Sequence, residues 1–153
     1  MKDKEINICG KYTCKYSIDA GCFLGRIEWY EGCLVELFLL CSPCKPTDML
    51  LIKLAFETLY RERDVWTRNA INYACDRFIP YFHHVVGSDD DLMEDMLQNI
   101  LIPCSIEFAI DGSFALAFES FSIGNRQSDL IVNGQLGRGF TNLKDGGEIV
   151  PFV

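Results

Sequence analysis

The stretch CSIEFAIDGSFALAFESF, residues 104–121, constrains the fold more than any other part of the chain. Ile106, Phe108 and Ile110 alternate with polar or small residues, Asp111-Gly112 follows, and Phe114, Leu116 and Phe118 alternate again. Apolar residues at period two put one side of a strand in a core and the other toward water. Asp-Gly between two such runs is the strongest short-range sign of a tight hairpin. An antiparallel sheet is therefore expected toward the C-terminal end. DLIVNGQLGRGF, residues 129–140, repeats the device with Asn133-Gly134 as the expected turn, and seven of the 12 glycines lie from Gly112 onward, as a run of tight turns requires.

The N-terminal part carries the same period. CFLGRIEWYEGCLVELFLLC, residues 22–41, has two apolar arms around Glu31-Gly32. In the second arm Val35, Leu37 and Leu39 alternate with Leu34, Glu36 and Phe38. A single charge in that arm predicts a central strand buried on both faces. A further strand is expected within INICGKYTCKYSI, residues 6–18.

Between these zones the period changes to that of a helix, from Thr47 to about Ile100. Pro46-Thr47 suits a helix start. Leu51, Leu54, Ala55 and Thr58, with Leu59 beside them, supply the expected buried stripe. Asp64 can cap a second helix, with Trp66, Ala70, Tyr73, Ala74, Phe78 and Phe82 on one broad face; Pro80 should kink or end it nearby. A short third helix is expected from Asp89. The order predicts an α+β fold: N-terminal β-hairpin strands, two to three central helices, and a C-terminal antiparallel β-meander. These form one sheet with helices on one face. At 153 residues the chain suits one domain, residues 1–153, which buries roughly 70% of its unfolded surface without a metal or disulfide.

Charge and cysteine content narrow the function. The net charge is −8, the wrong sign for neutralising phosphates; the densest basic stretch, YRERDVWTR, is interrupted by Glu62 and Asp64. Nucleic acid and anionic membrane surfaces are thus disfavoured partners, and a basic protein is favoured. The longest apolar run, Leu37 to Cys41, is far short of the ~20 residues a membrane helix needs. The first residues, MKDKEINICGKY, carry charges and no apolar stretch of a secretory signal, so a cytoplasmic location is expected. In a reducing compartment the eight cysteines are expected as free thiols rather than bridges.

Several stretches resemble sites. HHVVGSDDDLMED, residues 83–95, holds both histidines and five of the 22 acidic residues. Its residues also suit a helix junction: Gly87 after one helix, Ser88 as N-cap, Asp91 three residues on, and acidic residues in the first turn. A calcium loop starting at Asp89 would place Glu94 sixth and Ile100 twelfth, where glycine and glutamate are needed. Adjacent His83 and His84 point about 100° apart on a helix. The surviving expectation is a partner-binding surface of Asp89, Asp90, Asp91, Glu94 and Asp95.

Cys41 and Cys44, in CSPC, are the residues of a C-x-x-C pair; zinc would need Cys9 and Cys14 as the second pair. A redox reading calls for a βαβ setting, whereas a hairpin followed by helices is expected here. No G-x-S-x-G, H-E-x-x-H or phosphate loop occurs; GQLGRG, residues 134–139, lacks the Gly-Lys-Ser/Thr ending and reads as a hairpin. Trp29 and Tyr30 read as packing residues, with a binding patch as the alternative.

The motifs together resemble the bacterial domain-of-unknown-function family numbered 2262. The matching positions are Leu24-Gly25-Arg26-Ile27; Trp29, Gly32, Val35, Leu37 and Leu39; a helical tryptophan, Trp66; and Ser105, Ile106, Phe108, Asp111, Gly112 and Phe114. They extend over about residues 22–147. The family's Phe-x-Gly-His element is absent; Ser128 stands where its histidine would be. The resemblance implies a bacterial source, and some relatives resemble immunity proteins of toxin systems. These readings converge on a non-enzymatic, acidic, protein-binding domain with no cofactor. A cysteine-dependent hydrolase or thiol enzyme is the alternative, and a zinc-stapled module the second alternative.

Overall fold

The computed structural model describes residues 4–86 and 93–152. The N-terminal strands are β1 (Glu5–Ile8), β2 (Tyr12–Ser17), β3 (Cys22–Tyr30) and β4 (Cys33–Leu40). The helices α1 (Pro46–Arg61), α2 (Arg63–Val86) and α3 (Met93–Ile100) follow. The chain then returns to strands with β5 (Pro103–Ala109) and β6 (Ser113–Phe118), a small pair β7 (Phe121–Ile123) and β8 (Arg126–Ser128), then β9 (Leu130–Gln135), β10 (Gly139–Asp145) and β11 (Glu148–Ile149). Nine strands form one sheet in the order β1-β2-β3-β4-β5-β6-β9-β10-β11, and β7-β8 stand apart as a ribbon. The α+β fold class and the C-terminal meander are as the sequence predicts.

The sheet is antiparallel except at its centre, where β4 and β5 pair in parallel through Glu36↔Ser105 to Leu40↔Ala109. The helices are therefore the crossover of a parallel unit, and the expectation of a hairpin followed by helices outside any such unit is corrected. Parallel neighbours need a connection of a dozen residues or more, which the helical block supplies.

The turns follow the sequence in part. Gly32 (φ 79°) and Gly112 (φ 88°) adopt the left-handed backbone that the β3–β4 and β5–β6 hairpins need. Residues 6–18 hold parts of two strands rather than one, turning at Cys9, which itself has φ 55°. Its backbone N–H donates to the Glu57 carboxylate of α1 at 2.6 Å, tying that turn to the helix layer. Asn133-Gly134 is not a turn. Both residues lie inside β9, and the chain reverses at Leu136–Arg138, where the Arg138 N–H donates to the Gln135 carbonyl. GQLGRG is nonetheless a hairpin, joining β9 to β10.

The helices cover one face only. In β4 the side chains of Val35, Leu37 and Leu39 are fully buried, whereas Leu34 is 60% exposed and Glu36 lies in solvent. The strand is central but not buried on both faces, because no element among the described residues covers the second one. Opposite it, α1 presents Ile52, Phe56, Leu59 and Tyr60 to the core. The expected stripe of Leu51, Leu54, Ala55 and Thr58 is thus displaced: Leu51 and Leu54 are each 51% exposed, none of the four is buried, and only Leu59 beside them is. Helix α2 buries Ala70, Ala74, Phe78 and Phe82 as expected, with Trp66 and Tyr73 packed at the margin.

Two helix boundaries also differ. Helix α2 begins at Arg63, with only Glu62 between it and the end of α1, so Asp64 sits in its first turn rather than before it. Pro80 lies inside α2, which continues to Val86. The proline forfeits its bond to the carbonyl of residue 76, but both residues face water, which can satisfy that oxygen. The expected start of the third helix at Asp89 lies outside the described residues; α3 is described from Met93.

Candidate functional site

The four cysteines expected as metal ligands do not converge. Cys9 lies in the β1–β2 turn, and Cys14 is fully buried in β2. Cys41 and Cys44 lie between β4 and α1, half-buried and exposed respectively. Among the described residues no group of three or more His, Cys, Asp or Glu side chains is placed to hold a metal. Of the proposed acidic surface, Asp89, Asp90 and Asp91 lie outside the described residues; Glu94 and Asp95 are exposed in the first turn of α3. His83 and His84 occupy the last turn of α2.

The parallel β4–β5 unit removes the topological objection to a redox Cys41–Cys44 pair. The local chemistry supplies another. Burial pushes the Cys41 thiol pKa up, and the Asp48 carboxylate and Cys22 push it further. A redox or nucleophilic cysteine needs the reverse, a pKa lowered by cations or a helix dipole. The same direction holds elsewhere: burial raises Cys14 to about 11 and, with Glu94 and Asp76, Cys75 to about 12. Burial raises Cys9, Cys22 and Cys104 as well, assisted by Glu57, Glu107 and Glu119 respectively. A measurable consequence follows for alkylation of the native protein with iodoacetamide near pH 7. Exposed Cys44 is labelled first, and Cys14 and Cys75 only after denaturation. Rapid native labelling of Cys14 or Cys75 in a peptide map would contradict the burial described.

Ser128, at the place of the missing histidine, is buried and donates to the Asp145 carboxylate at 3.2 Å. Asp145 also accepts the Asp129 N–H at 3.0 Å and faces the Arg126 guanidinium at 3.7 Å. This network pins the β7–β8 ribbon to β10. A buried serine hydroxyl that donates to a carboxylate is a structural link rather than an accessible nucleophile.

Adjacent Trp29 and Tyr30 take different roles. Trp29 is fully buried and donates its indole N–H to Thr67 Oγ1 at 2.7 Å. Tyr30, the last residue of β3, remains 40% exposed. It stands at the mouth of a cleft of about 490 Å³ between α2, α3 and the strand ends, and Ile71, Leu101 and Ile102 give that cleft its apolar wall. Asp64 and Arg68, one helical turn apart, line the α2 side. Three carboxamides complete it: Asn72 from α2, and Gln98 and Asn99 from α3. Gln98 Nε2 donates to Asn72 Oδ1 at 3.4 Å, bridging the helices, and Asn99 Nδ2 donates to the Asp95 carbonyl at 2.9 Å. Sequence reading missed this cleft, because its residues come from three separated segments and share no spacing. The aromatic pair Trp29-Tyr30, with a binding patch as its alternative reading, was the one sequence signal near it.

No protein-family model, no curated protein and no solved structure matches this chain. No helix among the described residues is long and apolar enough to cross a membrane.

Proposed function

We propose that the chain is a non-catalytic domain that binds a basic protein partner. One observation carries this reading: acidic residues outnumber basic ones 22 to 14, and few of them are spent on internal pairs. The described residues contain two ion pairs, Arg26–Glu36 at 3.3 Å and Arg126–Asp145 at 3.7 Å. Exposed carboxylates that are not neutralised internally leave a negative field for steering a cationic partner. The raised thiols of Cys9, Cys14, Cys22, Cys41, Cys75 and Cys104 favour binding over covalent catalysis. In a bacterium, the source that the motif resemblance implies, neutralising a basic toxin is a role that fits such a domain.

The test is co-expression with the product of the neighbouring gene, followed by reconstitution from the two purified proteins. The expected result is a complex with a protein of high isoelectric point, whose association slows steeply as salt is raised. A complex with an acidic protein that is indifferent to salt, or turnover of a small substrate by the isolated chain, would overturn the proposal.

A further inference from the structure

We infer that the open face of the nine-stranded sheet is the interface of a homodimer, in which two copies of the chain pack sheet against sheet. This goes beyond the partner-binding reading and uses a different surface. Strand register lays the face out residue by residue. One cross-strand row holds Arg26, Glu36 and Ser105; the next holds Lys15, Leu24, Phe38 and Glu107. These side chains alternate with the buried ones and point away from the helices.

The relief of the face is self-complementary. On β4, Leu34, Phe38 and Leu40 form an apolar ridge, and Leu34 and Leu40 are 60% and 40% exposed. Beside it, Ser105, Ala109, Ala115 and Ala117 of β5 and β6 form a floor of small side chains. Depressions follow the foot of the ridge, one of about 500 Å³ between Phe38 and Ser105 and one of about 180 Å³ over Ala109 and Ala115. A two-fold axis along the boundary of β4 and β5 lays the ridge of each copy on the floor of the other. Facing sheets pack about 10 Å apart with interdigitated side chains, which suits a ridge against a floor. The seven strands from β2 to β10 average about seven residues, so the face spans on the order of 800 Å². A stable interface needs about that area from each partner.

Charge selects the occupant. From β2 to β10 the open side carries three cations, Lys15, Arg26 and Lys144, and three carboxylates, Glu28, Glu36 and Glu107; the edge strand β1 adds Glu5. The chain as a whole has a charge of −8, so its acidic surplus lies almost entirely elsewhere. A basic partner gains little from a nearly neutral face, whereas a second acidic copy can meet this face without like-charge repulsion. The signs are also arranged for it. The cations Lys15 and Arg26 stand on β2 and β3, and Glu36 and Glu107 on β4 and β5. The two-fold axis lays β3 over β6 of the second copy, one strand from its Glu107 and within reach of the long Arg26 side chain. The acidic remainder of each copy stays free for a basic protein.

Sedimentation equilibrium of the full chain tests the dimer. A monomer–dimer equilibrium at micromolar concentration is expected. Leu34→Lys puts an ammonium into the ridge and should raise the dissociation constant about a hundredfold, tenfold for each of its two symmetric occurrences. Leu40→Lys, at the other end of the ridge, should do the same, and far-ultraviolet circular dichroism checks that both variants keep the fold. Arg26→Glu and Glu107→Arg should each be monomeric alone, because each sets like charges across the axis twice. Mixed in equal amounts, these two should form a heterodimer, since both contacts then join opposite charges. Leu50→Lys/Leu54→Lys, on the exposed side of α1, should leave the equilibrium of the unaltered chain unchanged. A chain that stays monomeric at millimolar concentration would overturn the proposal. So would a dimer lost in the α1 variant and kept in Leu34→Lys, or a mixture of the two charge variants that remains monomeric.

Discussion

Replacing Trp29 by alanine is expected to destabilise the protein by about 3–5 kcal/mol, the range for truncating a large buried aromatic. Natural domains of this size have about 5–15 kcal/mol in total, so the variant should be folded only marginally at ambient temperature. The reason lies in position. Trp29 ends the inward-facing run of β3, and its ring lies 5.9 Å from both Tyr60 and Trp66 and 6.4 Å from Phe56. It thus joins α1, α2 and the sheet at one point. Its indole N–H is satisfied within the core by Thr67. Truncation leaves a cavity that three rigid rings cannot fill, and an unpaired hydroxyl.

Thr67→Val separates the two contributions. It keeps the ring and strands the N–H, at a cost of about 1–3 kcal/mol. Urea midpoints followed by far-ultraviolet circular dichroism measure both variants. A loss under about 1 kcal/mol for Trp29→Ala would mean that this ring does not join the layers.

The hairpin at Asp111-Gly112 was legible because everything that decides it is local: alternation on both sides and a glycine at φ 88° between them. Asn133-Gly134 carries the same dipeptide, yet the chain runs straight through it. There Gly134 answers to close packing between β9, β10 and Phe114. Local chemistry cannot distinguish a glycine that turns from a glycine that makes room. Helix α1 misleads in a related way. It is rich enough in apolar residues to offer two stripes at helical spacing, and the sheet buries the one through Ile52 and Phe56. The choice belongs to the tertiary contact.

The parallel join of β4 to β5 was not legible, because its two strands are separated by the helical block and each reads locally as part of a hairpin. The cleft was hidden for the same reason: Tyr30, Asp64, Asn72 and Gln98 meet only after that crossover forms. Classes of element and the two outer hairpin systems were in the sequence; the central pairing and the site depend on distant segments.

Two glycines test that distinction between local and distant causes. A Cβ added at Gly25 would lie 2.5 Å from Cys14 Sγ, with the Cys14 Cα and Cβ atoms at 3.4 Å. A Cβ added at Gly134 would lie 2.6 Å from both the Gly139 carbonyl oxygen and Phe114 Cζ. Each alanine substitution is expected to cost about 1–3 kcal/mol by overpacking. The rescues should differ. Cys14→Ala removes the clashing sulfur and leaves contacts of ordinary length, so Gly25→Ala made in that background should cost less than alone, with a coupling of about 0.5–3 kcal/mol. Phe114→Leu removes the ring atom at Gly134 but not the backbone oxygen of the neighbouring strand. That oxygen cannot retreat without opening the β9–β10 ladder, so Gly134→Ala should cost nearly the same with or without Phe114→Leu. Denaturant midpoints of the four single and two double variants decide the matter. Full recovery of Gly134→Ala by the leucine would show that the ring, not the strand, demands glycine there.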